Sequence, residues 1–191
     1  ECAPDARVWS VVKANAYGHG LTRVFEGLRA TDGFALLDIA EAKKLRDLDW
    51  RGPILLLEGV FDARDLEWCS RLGLWHVVHC DEQIDWIAQH KTEWPHHVFL
   101  KMNTGMNRLG VGPEELPHAM SALKDTSLAL LMSHLACGSD TKHEFNGTQL
   151  RRFIDASMLF PRAPLSLAAT AGTLIGADYH FDLIRPGIGL Y

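Results

Sequence analysis

A single lysine stands at the end of an apolar run, and a tyrosine and two glycines follow it closely. The run covers residues 8 to 12, Lys13 comes next, and Tyr17, Gly18 and Gly20 lie within the following seven residues. A strand that ends in this way delivers a partly desolvated amine to a pocket, where it can act as a nucleophile or a base. The alternative is a lysine that only extends its ammonium group into solvent past an apolar strand.

Three further segments each hold several chemically distinct side chains. Residues 101 to 110 read KMNTGMNRLG, residues 132 to 136 read MSHLA, and residues 184 to 191 read IRPGIGLY. Their lysine, arginines and histidine can bind carboxylates and phosphates or transfer protons. The glycines in the last segment let the backbone approach an anion closely.

These three segments and residues 11 to 20, VVKANAYGHG, resemble in order four motifs of the alanine racemase family, and they span nearly the whole chain. The resemblance implies pyridoxal 5'-phosphate as the cofactor and the interconversion of L-alanine and D-alanine as the reaction, which supplies D-alanine for cell-wall peptidoglycan. It also implies a cytoplasmic location and a homodimer for the full-length enzyme.

The resemblance assigns cofactor binding to five residues. Lys13 is expected to form a Schiff base with the aldehyde of pyridoxal phosphate and, once freed, to transfer the proton on the D face of alanine. The hydroxyl groups of Tyr17 and Thr170 are expected to bind the cofactor phosphate. The backbone amides of Gly187 and Ile188 are expected to bind it as well.

Four more residues receive roles from the same resemblance. Arg185 is expected to face the ring nitrogen, where a permanent cation keeps the ring unprotonated and limits side reactions such as transamination. His134 is expected to pack against the cofactor ring. Arg108 is expected to bind near the substrate carboxylate and the phenolic oxygen of the cofactor. Lys101 is expected to be carbamylated, because an uncharged or anionic group there removes its repulsion with Arg108.

The chain departs from the family pattern at two positions. Many relatives carry Asn-Ser where this chain has Ala169 and Thr170, so the hydroxyl is kept and an amide is lost. Asn103 stands where some relatives have aspartate, which removes one negative charge from its loop. These changes put one hydrogen bond beside the cofactor in doubt, but they leave the phosphate site in place.

Short apolar runs alternate with longer amphipathic segments along the chain, which is typical of β-α repeats around a parallel sheet. The predicted strands are residues 8–14, 33–39, 53–57, 75–80, 97–102, 128–134, 165–169 and 183–190. The predicted helices are residues 21–30, 41–48, 63–71, 81–90, 113–124 and 149–160. Eight such strands predict a closed (β/α)8 barrel of the TIM type over residues 1–191.

An open, doubly wound sheet is the structural alternative. The segment from Gly18 to Gly20 lacks the third glycine of a dinucleotide-binding fingerprint, which disfavours that alternative. In a barrel the active site forms at the carboxyl ends of the strands. The motifs are predicted to lie there, with Lys13 on the first strand, Arg108 just past the fifth, His134 on the sixth, and Arg185 and Gly187 on the eighth.

Composition narrows the classes of function. The chain has 191 residues, 47% of them hydrophobic, and a formal net charge of −5, which argues against a nucleic-acid surface. The absence of a 20-residue apolar run argues against a membrane protein. The four cysteines are scattered, as expected of buried thiols in a reducing cytoplasm. The histidines show no spacing typical of a zinc pair, so we predict no metal site.

The family resemblance also indicates what these 191 residues lack. Alanine racemases have a second, mostly β domain that supplies a tyrosine base for the opposite face of the substrate, so we expect this chain to be a fragment that binds cofactor and is impaired alone. Two rival functions stay open. One is a single-domain pyridoxal phosphate-binding homeostasis protein, and the other is a barrel without pyridoxal phosphate, such as a phosphate-sugar isomerase or binding module.

Overall fold

The computed structural model describes residues 2–92, 94–124 and 126–191, with the backbone alone for residues 127–129. Eight parallel strands alternate with helices along this chain. The strands are β1 (Arg7–Val11), β2 (Gly33–Leu36), β3 (Ile54–Leu56), β4 (Trp75–Val78), β5 (His97–Lys101), β6 (Ser127–Met132), β7 (Leu165–Ser166) and β8 (Leu183–Ile184).

The strands lie side by side in the order β7-β6-β5-β4-β3-β2-β1-β8, so each strand pairs with its sequence neighbour and β8 returns to β1. Two backbone hydrogen bonds join the remaining edges. The Asp182 N–H donates to the Leu165 carbonyl at 3.1 Å, and the Arg185 N–H donates to the Ala168 carbonyl at 2.8 Å. These contacts close the sheet into the predicted (β/α)8 barrel.

Alternating side chains of the strands fill the inside of the barrel with large apolar groups. The Trp9 ring stacks on Phe99 with 5.1 Å between ring centroids and meets Trp75 edge-on at 5.3 Å. Gly33 on β2 faces the Trp9 ring so closely that a Cβ atom would lie 2.7 Å from it. The barrel is therefore a packed core, and open space is left only at its ends.

Helices cover the outside of the barrel and bury the opposite faces of the strands. They are α1 (Lys13–Tyr17), α2 (Leu21–Leu28), α3 (Ile39–Asp47), α4 (Asp65–Leu72), α5 (Asp81–Gln89), α6 (Leu116–Ala122), α7 (Glu144–Ser157) and α8 (Thr170–Ile175), with 3-10 turns at Ala177–Tyr179 and Ile188–Leu190. In the described part of the chain, none of these helices has the length and apolar character needed to cross a lipid bilayer.

Several strands are shorter than predicted, and the difference falls at the carboxyl ends. The first strand ends at Val11, so the prediction of Lys13 on the strand was wrong. His134 likewise follows β6, and Arg185 and Gly187 follow β8. These residues leave the ladder because the backbone turns over the mouth of the barrel at these points, which brings their side chains to its end.

Two helices also differ from the prediction. Helix α7 begins at Glu144 instead of residue 149, because the polar side chains of Asn146 and Gln149 are buried and bind backbone carbonyls. Their polarity concealed the first turn of the helix. Helix α8 (Thr170–Ile175) was not predicted, since its six residues are too few to show a helical period.

Candidate active site

One cavity of about 300 Å³ opens at the carboxyl ends of the strands, and all nine residues predicted from the motifs line it. They come from five β-α loops that lie far apart in sequence. The nine residues are Lys13, Tyr17, Lys101, Arg108, His134, Thr170, Arg185, Gly187 and Ile188.

Lys13 begins α1, which is a single turn with an unusual backbone. Ala14, Asn15, Ala16 and Tyr17 have φ angles between 52° and 56°, in the left-handed region. This conformation costs about 1–2 kcal/mol for each residue that has a Cβ atom. The turn reverses the chain within a few residues and ends at Gly18, so both Lys13 and Tyr17 line the cavity. Strain of this kind is commonly found where function requires it.

Tyr17 lies against the loop that follows β8. Its hydroxyl occupies the space that a Cβ atom on residue 187 would need, so only glycine fits there. The Thr170 hydroxyl accepts hydrogen bonds from the Gly187 N–H at 2.9 Å and the Gly189 N–H at 3.2 Å. Two hydroxyl groups and two backbone amides thus gather at one end of the cavity. Burial raises the pKa of Tyr17, which keeps its hydroxyl protonated as a donor.

Ile188 lies between the two glycines whose amides bind Thr170. Its side chain is 65% exposed at the rim of the cavity. The second amide on the Thr170 hydroxyl belongs to Gly189, a residue that the sequence analysis did not select.

Arg185 is fully buried beneath the cavity. Its guanidinium group donates to the Ser166 hydroxyl and to the backbone carbonyls of Ser133 and Leu167, the latter two at 2.7 and 3.3 Å. Burial lowers the pKa of Arg185 to about 10, so the group stays cationic near neutral pH. Three acceptors from two neighbouring strand ends fix its orientation.

Lys101 and Arg108 both line the cavity, as predicted. Burial, together with the nearby Arg185 and Arg108 cations, lowers the pKa of Lys101 to about 8. Glu58 acts in the opposite direction and is the one acidic side chain among the residues that line this cavity in the described chain. The cavity therefore holds four basic side chains against one acidic one.

His134 is neutral in this environment. Burial, followed by the charges of Arg185 and Lys101, lowers its pKa to about 3. The Gln149 side chain on α7 fixes the backbone here, since its amide donates to the His134 carbonyl at 3.0 Å and its oxygen accepts from the Ala136 N–H at 2.8 Å.

The two departures from the family pattern have visible local effects. The Asn103 side-chain oxygen accepts from the Gly105 N–H at 2.9 Å and the Asn107 N–H at 3.1 Å, so asparagine keeps the acceptor needed to shape the loop that carries Arg108. Ala169 stands at the N-cap of α8 and makes no side-chain hydrogen bond there. The lost amide therefore leaves that helix end uncapped.

Sequence reasoning missed three residues that shape the site. Glu58 follows β3 directly, and its position at the carboxyl end of a predicted strand was the available signal. Ser166 on β7 receives the Arg185 guanidinium, and Gln149 holds the strand end at His134. Neither of these two had a signal in the sequence, because each acts through a tertiary contact.

A second, more open depression of about 660 Å³ lies near the amino ends of β3 and β4, and arginines line it. The Arg46 guanidinium already donates to the carbonyls of Trp50, Gly52, Leu72 and Gly73 at 2.8–3.2 Å. Its donors hold the backbone together, so this depression offers little for a ligand. The cavity at the carboxyl ends can instead bind an anion and present the amine of Lys13 to it.

Comparison with protein families gives one match over the full length. The family model described as alanine racemase, N-terminal domain, matches residues 1–191. An alanine racemase from Polaromonas sp. strain JS666 is 56% identical over 195 residues, which cover 99% of this chain and 53% of that protein. One from Methylibium petroleiphilum is 57% identical over 194 residues, which cover 98% of this chain and 52% of that protein.

Solved structures give the same result at lower identity. Alanine racemase from Acinetobacter baumannii superposes with a TM-score of 0.93 at 30% identity, covering 100% of this chain and 57% of that one. Alanine racemase from Bartonella henselae with covalently bound pyridoxal phosphate has a TM-score of 0.90 at 31% identity, covering 100% and 57%. The chain spans about half the length of the curated relatives it matches.

Proposed function

Because this chain belongs to the family of alanine racemase N-terminal domains, we propose that its 191 residues form the pyridoxal phosphate-binding barrel of an alanine racemase. The observation that carries the proposal is the single cavity into which five separate β-α loops bring all nine motif residues. The D-alanine formed would serve cell-wall peptidoglycan synthesis. The unpaired thiols of the four cysteines fit a reducing cytoplasm.

The residues present fit the cofactor at both of its ends. At one end, the Tyr17 hydroxyl, the Thr170 hydroxyl and the amides around Gly187 and Ile188 form a neutral donor set suited to a phosphate, and glycine at position 187 leaves room for it. At the other end, Lys13 offers an amine. The excess of positive charge in the cavity favours a ligand that carries phosphate and carboxylate groups.

Bound pyridoxal phosphate supplies an aldehyde that links covalently to amines and a ring that withdraws electrons from the substrate Cα atom. The remaining work belongs to the protein. Lys13 Nζ holds the cofactor and then moves a proton at one face of the substrate Cα. Arg185 faces the ring nitrogen as a fixed cation, and neutral His134 packs against the ring. Arg108 binds the substrate carboxylate as a flexible clamp at the rim.

Lys101 is suited to carbamylation. With a pKa near 8, an appreciable fraction of its amine is neutral in a mildly basic buffer. The neutral nitrogen can attack dissolved CO₂, forming an N–C bond while the amine proton leaves to solvent. The resulting anion would lie among Arg108, Arg185 and Lys13 and would neutralise part of their repulsion. Carbon-13 NMR of the protein in ¹³C-bicarbonate tests this, with a carbamate signal expected and its absence in Lys101→Ala.

Racemisation also needs a base on the opposite face of the Cα atom. Lys13 serves one face, and we assign the other face to a residue outside these 191, with the complete site formed in a homodimer. The 191-residue chain alone is then expected to bind pyridoxal phosphate without restoring alanine racemisation. Full activity from the chain alone would contradict this assignment.

The proposal is tested by adding pyridoxal phosphate to the purified protein, recording the visible spectrum, reducing with borohydride and locating the modified lysine by peptide mass spectrometry. A visible band and a label on Lys13 are expected, and Lys13→Ala is the control that should lose both. A folded protein with neither band nor label would favour a barrel without pyridoxal phosphate. A label on Lys13 in a full-length protein with no racemase activity would favour a carrier of the homeostasis type.

A further inference from the structure

A single acidic side chain holds the left-handed turn from outside. Glu41 Oε1 accepts a hydrogen bond from the Asn15 backbone N–H at 2.5 Å. Glu41 belongs to the first turn of α3, which follows β2, while the turn follows β1. The bond therefore joins two successive β-α units at the mouth of the barrel.

Asn15 is the centre of the turn, and its other polar groups are bound as well. Its backbone carbonyl accepts from the Gly20 N–H at 2.9 Å, and its side-chain oxygen accepts from the Leu21 N–H at 2.9 Å. Both bonds stay within the segment that forms the turn and its exit. The bond to Glu41 differs because it anchors Asn15 to a separate helix.

The second oxygen of Glu41 is in an unfavourable position. Oε2 is buried and has no hydrogen-bond partner among the described residues. A buried carboxylate oxygen without a partner destabilises the fold. An acidic residue that only complemented the dipole of α3 would be more stable in solvent, where Glu82 lies in the first turn of α5. The bond to Asn15 explains why Glu41 points inward.

We infer that Glu41 is a positioning residue for the cofactor site, acting through Asn15 on Lys13 and Tyr17. The inference rests on the function proposed above, because it concerns the two residues assigned to the aldehyde and phosphate ends of the cofactor. Residues with a Cβ atom disfavour left-handed φ angles, so this turn needs support from its surroundings. Without the acceptor on Glu41 the turn relaxes, and the amine of Lys13 and the hydroxyl of Tyr17 lose their fixed separation.

The test compares three variants of the purified protein in a titration with pyridoxal phosphate, followed by the visible band of the lysine-bound cofactor. Glu41→Ala removes the acceptor and is expected to raise the dissociation constant about tenfold or more. Glu41→Gln keeps an oxygen acceptor and is expected to stay within about threefold of the wild type. Glu82→Ala removes the same charge from another helix N-terminus, makes no contact with the turn, and is expected to change nothing.

Circular dichroism and thermal melting of each variant separate local from global effects. Wild-type affinity in a folded Glu41→Ala protein would overturn the inference and leave the proposed function intact. Equal losses in Glu41→Gln and Glu41→Ala would also overturn it, since charge and not the acceptor would then matter. If Glu41→Ala does not fold, Glu41→Gln decides: retained affinity supports positioning and a tenfold loss refutes it. A wild-type protein without a Lys13 label would remove the proposed function and this inference together.

Discussion

Two groups of buried titratable side chains lie in this molecule, and they satisfy their polar atoms in opposite ways. At the mouth of the barrel, Lys101, His134 and Arg185 lie close together, and each basic group lowers the pKa of its neighbours. Outside the barrel, the buried His76 ring on β4 meets His96 with 3.1 Å between Nε2 and Nδ1. The second group is bonded to itself, whereas the first is repelled by itself.

The histidine group forms a chain that reaches the surface. The Nε2 atom of His96 lies 2.9 Å from Nδ1 of His90, and His90 Nε2 lies 3.8 Å from a Glu67 carboxylate oxygen. Each of these bonds needs one protonated and one bare nitrogen, so the chain is satisfied when its rings are neutral. Burial and the neighbouring histidines lower the pKa of His76 to about 3 and that of His96 to about 4, which keeps them neutral.

The difference teaches how to separate structural from functional polar groups in this barrel. The histidine chain gains its bonds inside the protein, so its removal should weaken the fold. The basic cluster at the mouth keeps unfavourable repulsion that an anionic ligand would relieve, so its removal should weaken binding while the fold tolerates it. Perturbed pKa values occur in both groups, and only the presence or absence of internal partners distinguishes them.

The largest effect is expected from Lys13→Ala. Covalent attachment of pyridoxal phosphate should be lost, and racemisation by the full-length protein should fall by about a thousandfold or more. The free energy of unfolding should change by less than about 0.5 kcal/mol, because Lys13 also lowers the pKa of Lys101 and of His134 through repulsion. Borohydride labelling and urea unfolding measure the two quantities. A stability loss above about 1 kcal/mol would place Lys13 in the structural group.

His76→Ala should have the reverse outcome. His76 is 1% exposed, so truncation leaves a cavity and removes the partner of His96. The free energy of unfolding should fall by about 2–4 kcal/mol. The affinity of the folded protein for pyridoxal phosphate should stay unchanged, because the ring lies between the sheet and the helices. Urea unfolding and the visible titration check this, and a selective loss of cofactor affinity would contradict it.

Acid should act on the histidine chain in a way that can be measured as a slope. The folded-state pKa values of His76 and His96, about 3 and about 4, lie below the ordinary value near 6.5. The unfolded chain therefore binds more protons, and the stability present above pH 6.5 is lost as the pH falls toward these values. Each group contributes about 1.4 kcal/mol per pH unit in that range. His76→Gln should reduce the slope by about that amount between pH 6 and pH 4, and parallel slopes would refute the assignment.

The sequence predicted the barrel because eight apolar runs alternated with amphipathic ones, and burial of those runs decides the fold. It also selected nine residues that the structure brings to one cavity, since their motifs lie at strand ends. It could not predict the left-handed turn, because KANAY contains no glycine and has no local preference for positive φ. That turn depends on contacts from elsewhere, including the Glu41 carboxylate.

Other parts of the site were hidden for related reasons. Gln149 and Ser166 act through bonds to residues far away in sequence, so no spacing rule indicates them. Helix α7 began earlier than predicted because buried polar residues interrupted its apolar pattern. Glu58 belongs to no motif, although it follows an apolar strand directly. Local periodicity therefore predicted the elements, and the missing features required knowledge of tertiary contacts.

Glu58→Gln should produce the smallest effect and tests how the basic cluster is balanced. Glu58 raises the pKa of Lys101 against the four influences that lower it, so its neutralisation should shift that pKa further down by a fraction of a pH unit. The pKa can be measured from the rate at which an acetylating reagent labels Lys101 in CO₂-free buffer, mapped by mass spectrometry. The exposed Lys142 serves as an internal control whose labelling profile should not move. An unchanged or upward-shifted profile for Lys101 would show that Glu58 does not balance the cluster, and the cavity would then depend on its ligand for all of its negative charge.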